Sequence, residues 1–300
     1  MSESTENSKK TTLEKEAPAP APESRNEVFQ APTMSSQMPS SPGRQSQSIE
    51  YEVPVESIPL PSRGIVYPAG TALAGVEMVE IKSMTAVEED ILTSEALVKK
   101  GTVISEFLRS ILINKSIDVE SMLSGDRNAL MVAGRITGYG HEYEAKVACP
   151  DCGVNSDNVF SLATLSIKRL AIEPSSPGEN IFAFTLPVSK KKVQFRFLTG
   201  RDERDIMVIQ ERMRKAGQQT DNLVTTRLQY ALVSVDGMTD RSLINKFVLN
   251  MPARDSLTLR KFMDNNEPGI DMKSMMYCNS CNEENEVALP IGTTFFWPEG

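Results

Sequence analysis

The chain has 300 residues, an ordinary composition for a globular protein and a net charge of -8. That acidic balance argues against a protein that coats DNA or RNA, because phosphate neutralisation needs a basic surface. No apolar run approaches the roughly 18 residues of a membrane helix, and the opening "MSESTENSKK" lacks a signal-peptide pattern, so a reducing cytosol is the expected compartment and disulfides are disfavoured there.

Residues 1–48 are rich in Ser, Pro, Gln and Glu, with "APAPAPE" at 17–23. Such a segment buries too little apolar surface to offset its ordering entropy and reads as a disordered N-terminal arm, a solvated tail or a tether. Order is expected from about residue 49. "EYEVPV" at 50–55 alternates like a strand. "IPLPSRGIVYP" follows with prolines at 59, 61 and 68, which exclude a helix interior, and "VEMVEIKSM" at 76–84 reads as a second strand.

Thr85 and Glu88 have capping-box spacing and open a helix that should run to Gly101. A second helix is expected over 102–113, with Ile104, Phe107, Leu108, Ile111 and Leu112 on one face, and a third over 126–136. In "YGHEYEAKVA", Tyr139, His141, Tyr143, Ala145 and Val147 alternate with Glu142, Glu144 and Lys146. This predicts a half-buried strand with His141 as a packed core histidine, delivering Cys149 and Cys152.

The same order then returns. Strands are expected at 182–188 and 192–198, joined through a solvated turn near Lys190, Lys191 and Lys192. A helix opens on Thr199 and Asp202, another spans 220–235 and another 254–263. "DMKSMMY" delivers Cys278 and Cys281, and "EVALPI" leads away. "VEIKSMTAVEEDI" lines up with "VQFRFLTGRDERDI", and Arg127 and Leu130 line up with Arg254 and Leu257. The expected fold is therefore α+β, with two pseudo-repeats, 49–165 and 166–300, each of strands, capped helices, strand and cysteine knuckle.

Two Cys-x-x-Cys pairs can hold one tetrahedral Zn2+, and Cys149, Cys152, Cys278 and Cys281 are all the cysteines present. Pro150 and Gly153 suit a knuckle turn, and Asn282 tolerates the left-handed conformation that Gly153 adopts readily. The separation of the pairs far exceeds the roughly 15–20 residues of a zinc ribbon. Pseudo-twofold packing of the halves would bring them together into one shared structural site, closed to substrate by its four thiolates. Two reduced, metal-free pairs or a redox Cys-x-x-Cys are the alternatives. No other catalytic constellation is found: nucleophile-elbow, phosphate-loop, zinc-protease and deaminase patterns are all missing, so no enzyme is expected. Phe295, Phe296 and Trp297 lie together near the end. Phe296 and Trp297 are candidates for a partner-binding patch, with core packing the competing role.

"PLPSRGIVYP", "VEIKSMTAVEEDILTSEALVKKGT", "GDRNALMVAGRITGYGHEYE", "CPDCG", "CNSC" and "FFWPE" occur in this order over residues 50–300. In these blocks the chain resembles the baseplate hub and hub-assembly proteins of T-even-type contractile-tailed bacteriophages. The resemblance implies a role in tail morphogenesis, as a hub component that stays in the virion's tail baseplate or an assembly factor that leaves it, with other phage baseplate or hub proteins as partners in the host cytoplasm during assembly. It implies no catalytic residues, and the long N-terminal arm departs from the shorter family pattern. A zinc-ribbon nucleic-acid-binding or transcription accessory protein is the alternative, which the acidic balance disfavours.

Overall fold

In the computed structural model, residues 52–217, 222–291 and 295–296 are described; the arm expected at 1–48 lies outside them. Strand β1 (Val55–Pro59) pairs antiparallel with β2 (Met78–Lys82), Val55 opposite Lys82. In β2 the alternation is the usual inward–outward one, with Val79 and Ile81 buried and Met78 exposed. The intervening segment is built of turns, as its prolines require, and is anchored in the core while Arg63 and residues 68–71 are exposed. Leu60, Val66, Tyr67 and Leu73 are all buried. Gly64, at φ 69°, passes so close to the chain that a Cβ would lie 2.3 Å from the Val76 nitrogen.

Helix α1 (Ala86–Thr93) starts where the capping box places it, with Glu88 accepting from the Thr85 N–H at 2.9 Å. The expected single helix to Gly101 is broken at Ser94, and α2 (Glu95–Lys100) is separate. Thr93 supplies a reason, because its hydroxyl donates to the Glu89 carbonyl and competes for the helix backbone. Helix α3 (Val103–Ile111) buries Phe107, Leu108 and Ile111, and the following Leu112 bridges back to Ile81. Helix α4 (Ser124–Tyr139) is the central element and ends at Gly140, whose φ is 82°.

Strand β3 (Glu142–Ala148) pairs with β4 (Asn155–Ser161) as a hairpin across the first knuckle. Tyr143, Ala145 and Val147 point inward as expected. Tyr139 and His141 do not belong to this face. Gly140 ends α4 after Tyr139, so the strand starts only at Glu142, and His141 is exposed in the bend between them. A short strand β5 (Ile167–Lys168) follows.

Strands β6 (Phe182–Thr185) and β7 (Lys192–Phe195) form the next antiparallel pair, turning through Lys190 at φ 58°. Helix α5 (Gly200–Lys215) opens on Thr199, whose N–H donates to Asp202 at 2.9 Å. Helix α6 (Leu223–Ala231) is shorter than the helix expected over 220–235. Leu232–Val235 instead forms strand β8, the third strand of the β6–β7–β8 sheet. Leu and Val in that stretch fit a pleated, buried surface, and Ser234 donates its hydroxyl to Gln194 on β7 at 2.8 Å. Helices α7 (Arg241–Leu249) and α8 (Ala253–Asn266), the short strand β9 (Gly269–Ile270), which pairs with β5, and the hairpin β10 (Lys273–Tyr277)–β11 (Glu284–Ala288) complete the described fold.

The architecture is α+β, eight helices with small antiparallel sheets among the described residues. One main core of buried side chains draws on both stretches, from Leu60 to Phe296. In each stretch a strand pair, a capped helix, a nine-residue helix, a long helix and a cysteine hairpin follow in that order, with α2 interposed in the first and β8, α7 and β9 in the second. Leu130 and Leu257, aligned in the sequence, sit in different environments. Leu130 is fully buried, whereas Leu257 is 45% exposed and Leu259 is the buried leucine of α8. Leu259 stands to Leu130 at the offset that separates Cys278 from Cys149, and Asp255 stands to Asp126 at the same offset. Both aspartates are buried in the first turn of a long helix and accept backbone N–H groups from the loop of a strand pair. Asp126 takes Ser62 at 2.9 Å, and Asp255 takes Val188 at 2.7 Å and Ser189 at 2.9 Å.

Candidate metal centre

The two cysteine knuckles are built alike. In the first, the Cys149 N–H donates to the Val154 carbonyl at 2.9 Å and the Gly153 N–H to the Cys149 carbonyl at 2.9 Å. In the second, Cys278 donates to Glu283 at 3.0 Å and Asn282 to Cys278 at 2.8 Å. Gly153 (φ 73°) and Asn282 (φ 61°) both take the left-handed conformation expected of them. In each hairpin the strand register fixes the turn, so both cysteines of a knuckle face the same side.

The knuckles meet. The Sγ of Cys149 lies 3.7 Å from that of Cys281, and the Sγ of Cys152 lies 3.6 Å from that of Cys278. All four sulfurs fall within 4.8 Å of one another. A tetrahedron with metal–sulfur bonds near 2.3 Å has edges of about 3.8 Å; these two cross-knuckle pairs have that spacing, and the 4.8 Å limit on the rest leaves the four sulfurs about an ångström or less from it. Each knuckle holds one buried cysteine, Cys149 or Cys278, while Cys152 is exposed and Cys281 half-buried. The site therefore sits at the rim of the core.

Backbone N–H groups of Cys281 and Ser280 pull the Cys278 thiol down to about 6. The Glu283 N–H also favours the Cys281 thiolate, but burial and the three neighbouring thiols outweigh it and push Cys281 up to about 12. The thiols share protons: Cys281 and Cys152 donate to the Cys278 thiolate and are themselves held protonated by their sulfur neighbours, and four thiolates this close need a cation among them. Asn285, which the sequence reading passed over, adds an outer contact. Its amide donates to Asp151 at 2.9 Å and lies 3.7 Å from the Cys149 sulfur, tying the second hairpin to the first knuckle. Its only sequence signal was its position on the strand leaving Cys281.

Phe296 does not form a surface patch. It is 3% exposed, with its ring centroid 5.1 Å from that of Phe107 in an edge-on contact. Phe295 is equally buried and gives its carbonyl to Arg135 Nε at 2.9 Å. The large apolar rings gain more from the α3–α4 surface than from solvent, so the core role prevails. Trp297 lies outside the described residues. Among the described residues no helix is long and apolar enough to cross a membrane.

A family model described as "T4 bacteriophage base plate protein" matches residues 71–297, well over half of the chain and both cysteine pairs. No curated protein and no solved structure matches the chain.

Proposed function

The chain belongs to the T4 bacteriophage base plate protein family, and from that premise we propose that it is a non-enzymatic component or assembly factor of the baseplate hub, needed to build the contractile tail. The observation that carries this reading is the family match over residues 71–297. On this reading its partners are other baseplate and hub proteins, met in the host cytoplasm during assembly; a hub component then stays in the tail baseplate, whereas an assembly factor leaves it. The chemistry available is consistent with a protein that binds. Its single histidine is exposed, and its clustered thiols are four, which leaves a tetrahedral ion no open position for substrate.

The metal is Zn2+, one per chain, held by Cys149, Cys152, Cys278 and Cys281. What supports zinc is the all-thiolate donor set and the tetrahedral spacing of the sulfurs. Bound there, the ion supplies folding energy by joining two hairpins distant in sequence.

The two stretches are a duplication, with the ion at their pseudo-twofold meeting point. Support comes from the shared element order and the matched knuckle hydrogen bonds. It comes also from the like placement of Asp126 and Asp255, and from the leucine after α3 and after α6 that pairs back to the preceding strand, Leu112 as a single bridge to Ile81 and Leu232 within β8.

The test is a phage lacking this chain. It should accumulate tail-less heads and yield no baseplates, with rescue by the chain supplied in trans. Normal infective tails from that phage would overturn the morphogenesis role.

A further inference from the structure

The proposed duplication sets two helix–helix faces in correspondence, and their occupancy differs. In the first half, the face between α3 and α4 is filled by Phe295 and Phe296. Phe296 packs on Phe107, Phe107 lies over Gly134, and Arg135 takes the Phe295 carbonyl. In the second half, α6 stands for α3 and α8 for α4. Helices α3 and α6 are both nine residues long and each is followed by a leucine that pairs with the preceding strand. In this register Arg227, Met263 and Asp264 occupy the places of Phe107, Gly134 and Arg135.

That second face holds an open cavity of about 240 Å3, lined by Leu223, Val224, Arg227, Arg260, Met263 and Glu267 among others. An apolar cavity of about 150 Å3 already takes a benzene ring. Leu223 is 39% exposed and Val224 41%, whereas their first-half counterparts Val103 and Ile104 pack against the core. The polar wall is uneven in charge. Arg227 is held by Glu203 at 2.8 Å, but the guanidinium of Arg260 has no hydrogen bond or ion pair among the described residues, and its Nε is buried without a partner. Burial raises the Glu267 carboxyl to about 7, so near neutrality it opposes an incoming anion only in part. Asp264 is exposed. A free cation beside an apolar hollow complements a ring or large aliphatic side chain next to a carboxylate.

We propose that the α6–α8 cavity is the docking site for a segment of another protein, one presenting a large apolar side chain beside an acidic residue. It would be taken in trans, as the α3–α4 face takes Phe295 and Phe296 in cis. This rests on the duplication and adds to it the site and chemistry of a partner.

The hexapeptide Phe-Phe-Trp-Pro-Glu-Gly, labelled at its N-terminus, serves as the probe and is titrated with the full zinc-loaded chain by fluorescence anisotropy. The expected result is saturable binding, weakened at least tenfold by Val224→Glu and by Arg260→Gln, and weakened likewise when the peptide carries Gln in place of Glu. Both variants alter partly exposed side chains, and their melting temperature and zinc content are expected to match the parent's. No saturation by about 1 mM peptide, or equal affinity in parent and variants, would overturn the proposal. So would a concentration-dependent dimer abolished by Val224→Glu, which would assign the cavity to a second copy. Loss of the docking site with zinc retained separates this failure from failure of the metal centre.

Discussion

The sulfurs of Cys149 and Cys281 lie 3.7 Å apart although the residues are 132 positions apart in the sequence. Neither knuckle alone supplies four ligands, so the site exists only when both hairpins are docked. Chelation should therefore act on the fold, not on any local loop alone. Hydrogen exchange is expected to quicken in the two hairpins, 142–161 and 273–288, when zinc is removed from the folded chain, with smaller changes in the β6–β7–β8 sheet. Unchanged protection in both hairpins would show that the thiols need no metal to stay together.

Phe296 is expected to act as a core residue. Its truncation to Ala removes a buried ring that meets both Phe107 and Phe295 at 5.1 Å, a loss on the order of 3–5 kcal/mol. Urea denaturation reads this directly. A Phe296→Ala chain with unchanged midpoint would return the residue to the surface.

Gly125, in the first turn of α4, is pressed against the other half. A Cβ there would stand 1.6 Å from the Pro268 carbonyl oxygen, backbone that cannot swing aside. Gly125→Ala should cost more than about 3 kcal/mol and loosen the contact between α4 and β9. If the variant melts with the parent, the close approach of these two backbones is wrong.

Glu88 gives the fold a defined acid dependence. Burial by itself would raise its carboxyl. Hydrogen bonds from Lys82, Ser110 and Thr85 outweigh that and hold it at about 2. A folded value below the unfolded one means that the contribution is fully present above about 4.5 and is lost as pH falls toward 2. Glu88→Gln should thus destabilise by roughly 2–3 kcal/mol at pH 7 and by clearly less at pH 3. An equal loss at both values would show that the charge is not what matters.

Much of this was legible in the sequence because it depends on local chemistry. Capping boxes at Thr85 and Thr199, left-handed turns at Gly153 and Asn282, and the inward face of Tyr143, Ala145 and Val147 each follow from a few neighbouring residues. What was not legible depends on distant neighbours. Leu232–Val235 continues the helical pattern of α6 and becomes a strand only because β7 offers an edge. β4 hides behind polar residues, Asn155, Ser156, Asp157 and Asn158, and is held by its full-length pairing with β3. Helix α7 did carry a signal, Asp240 accepting from Leu243 at 3.0 Å as an N-cap. Leu130 and Leu257 match by residue type but not by burial, and the like placement of Asp126 and Asp255 is visible only in three dimensions.

The most direct test of the central claim, one zinc shared by both knuckles, is X-ray absorption at the zinc edge on the purified full chain. One zinc per chain with four sulfur neighbours at about 2.3 Å is expected, with loss of that signal in Cys149→Ser and Cys281→Ser alike. Protein isolated in zinc-replete medium with no bound zinc, or with nitrogen or oxygen ligands in place of sulfur, would contradict it.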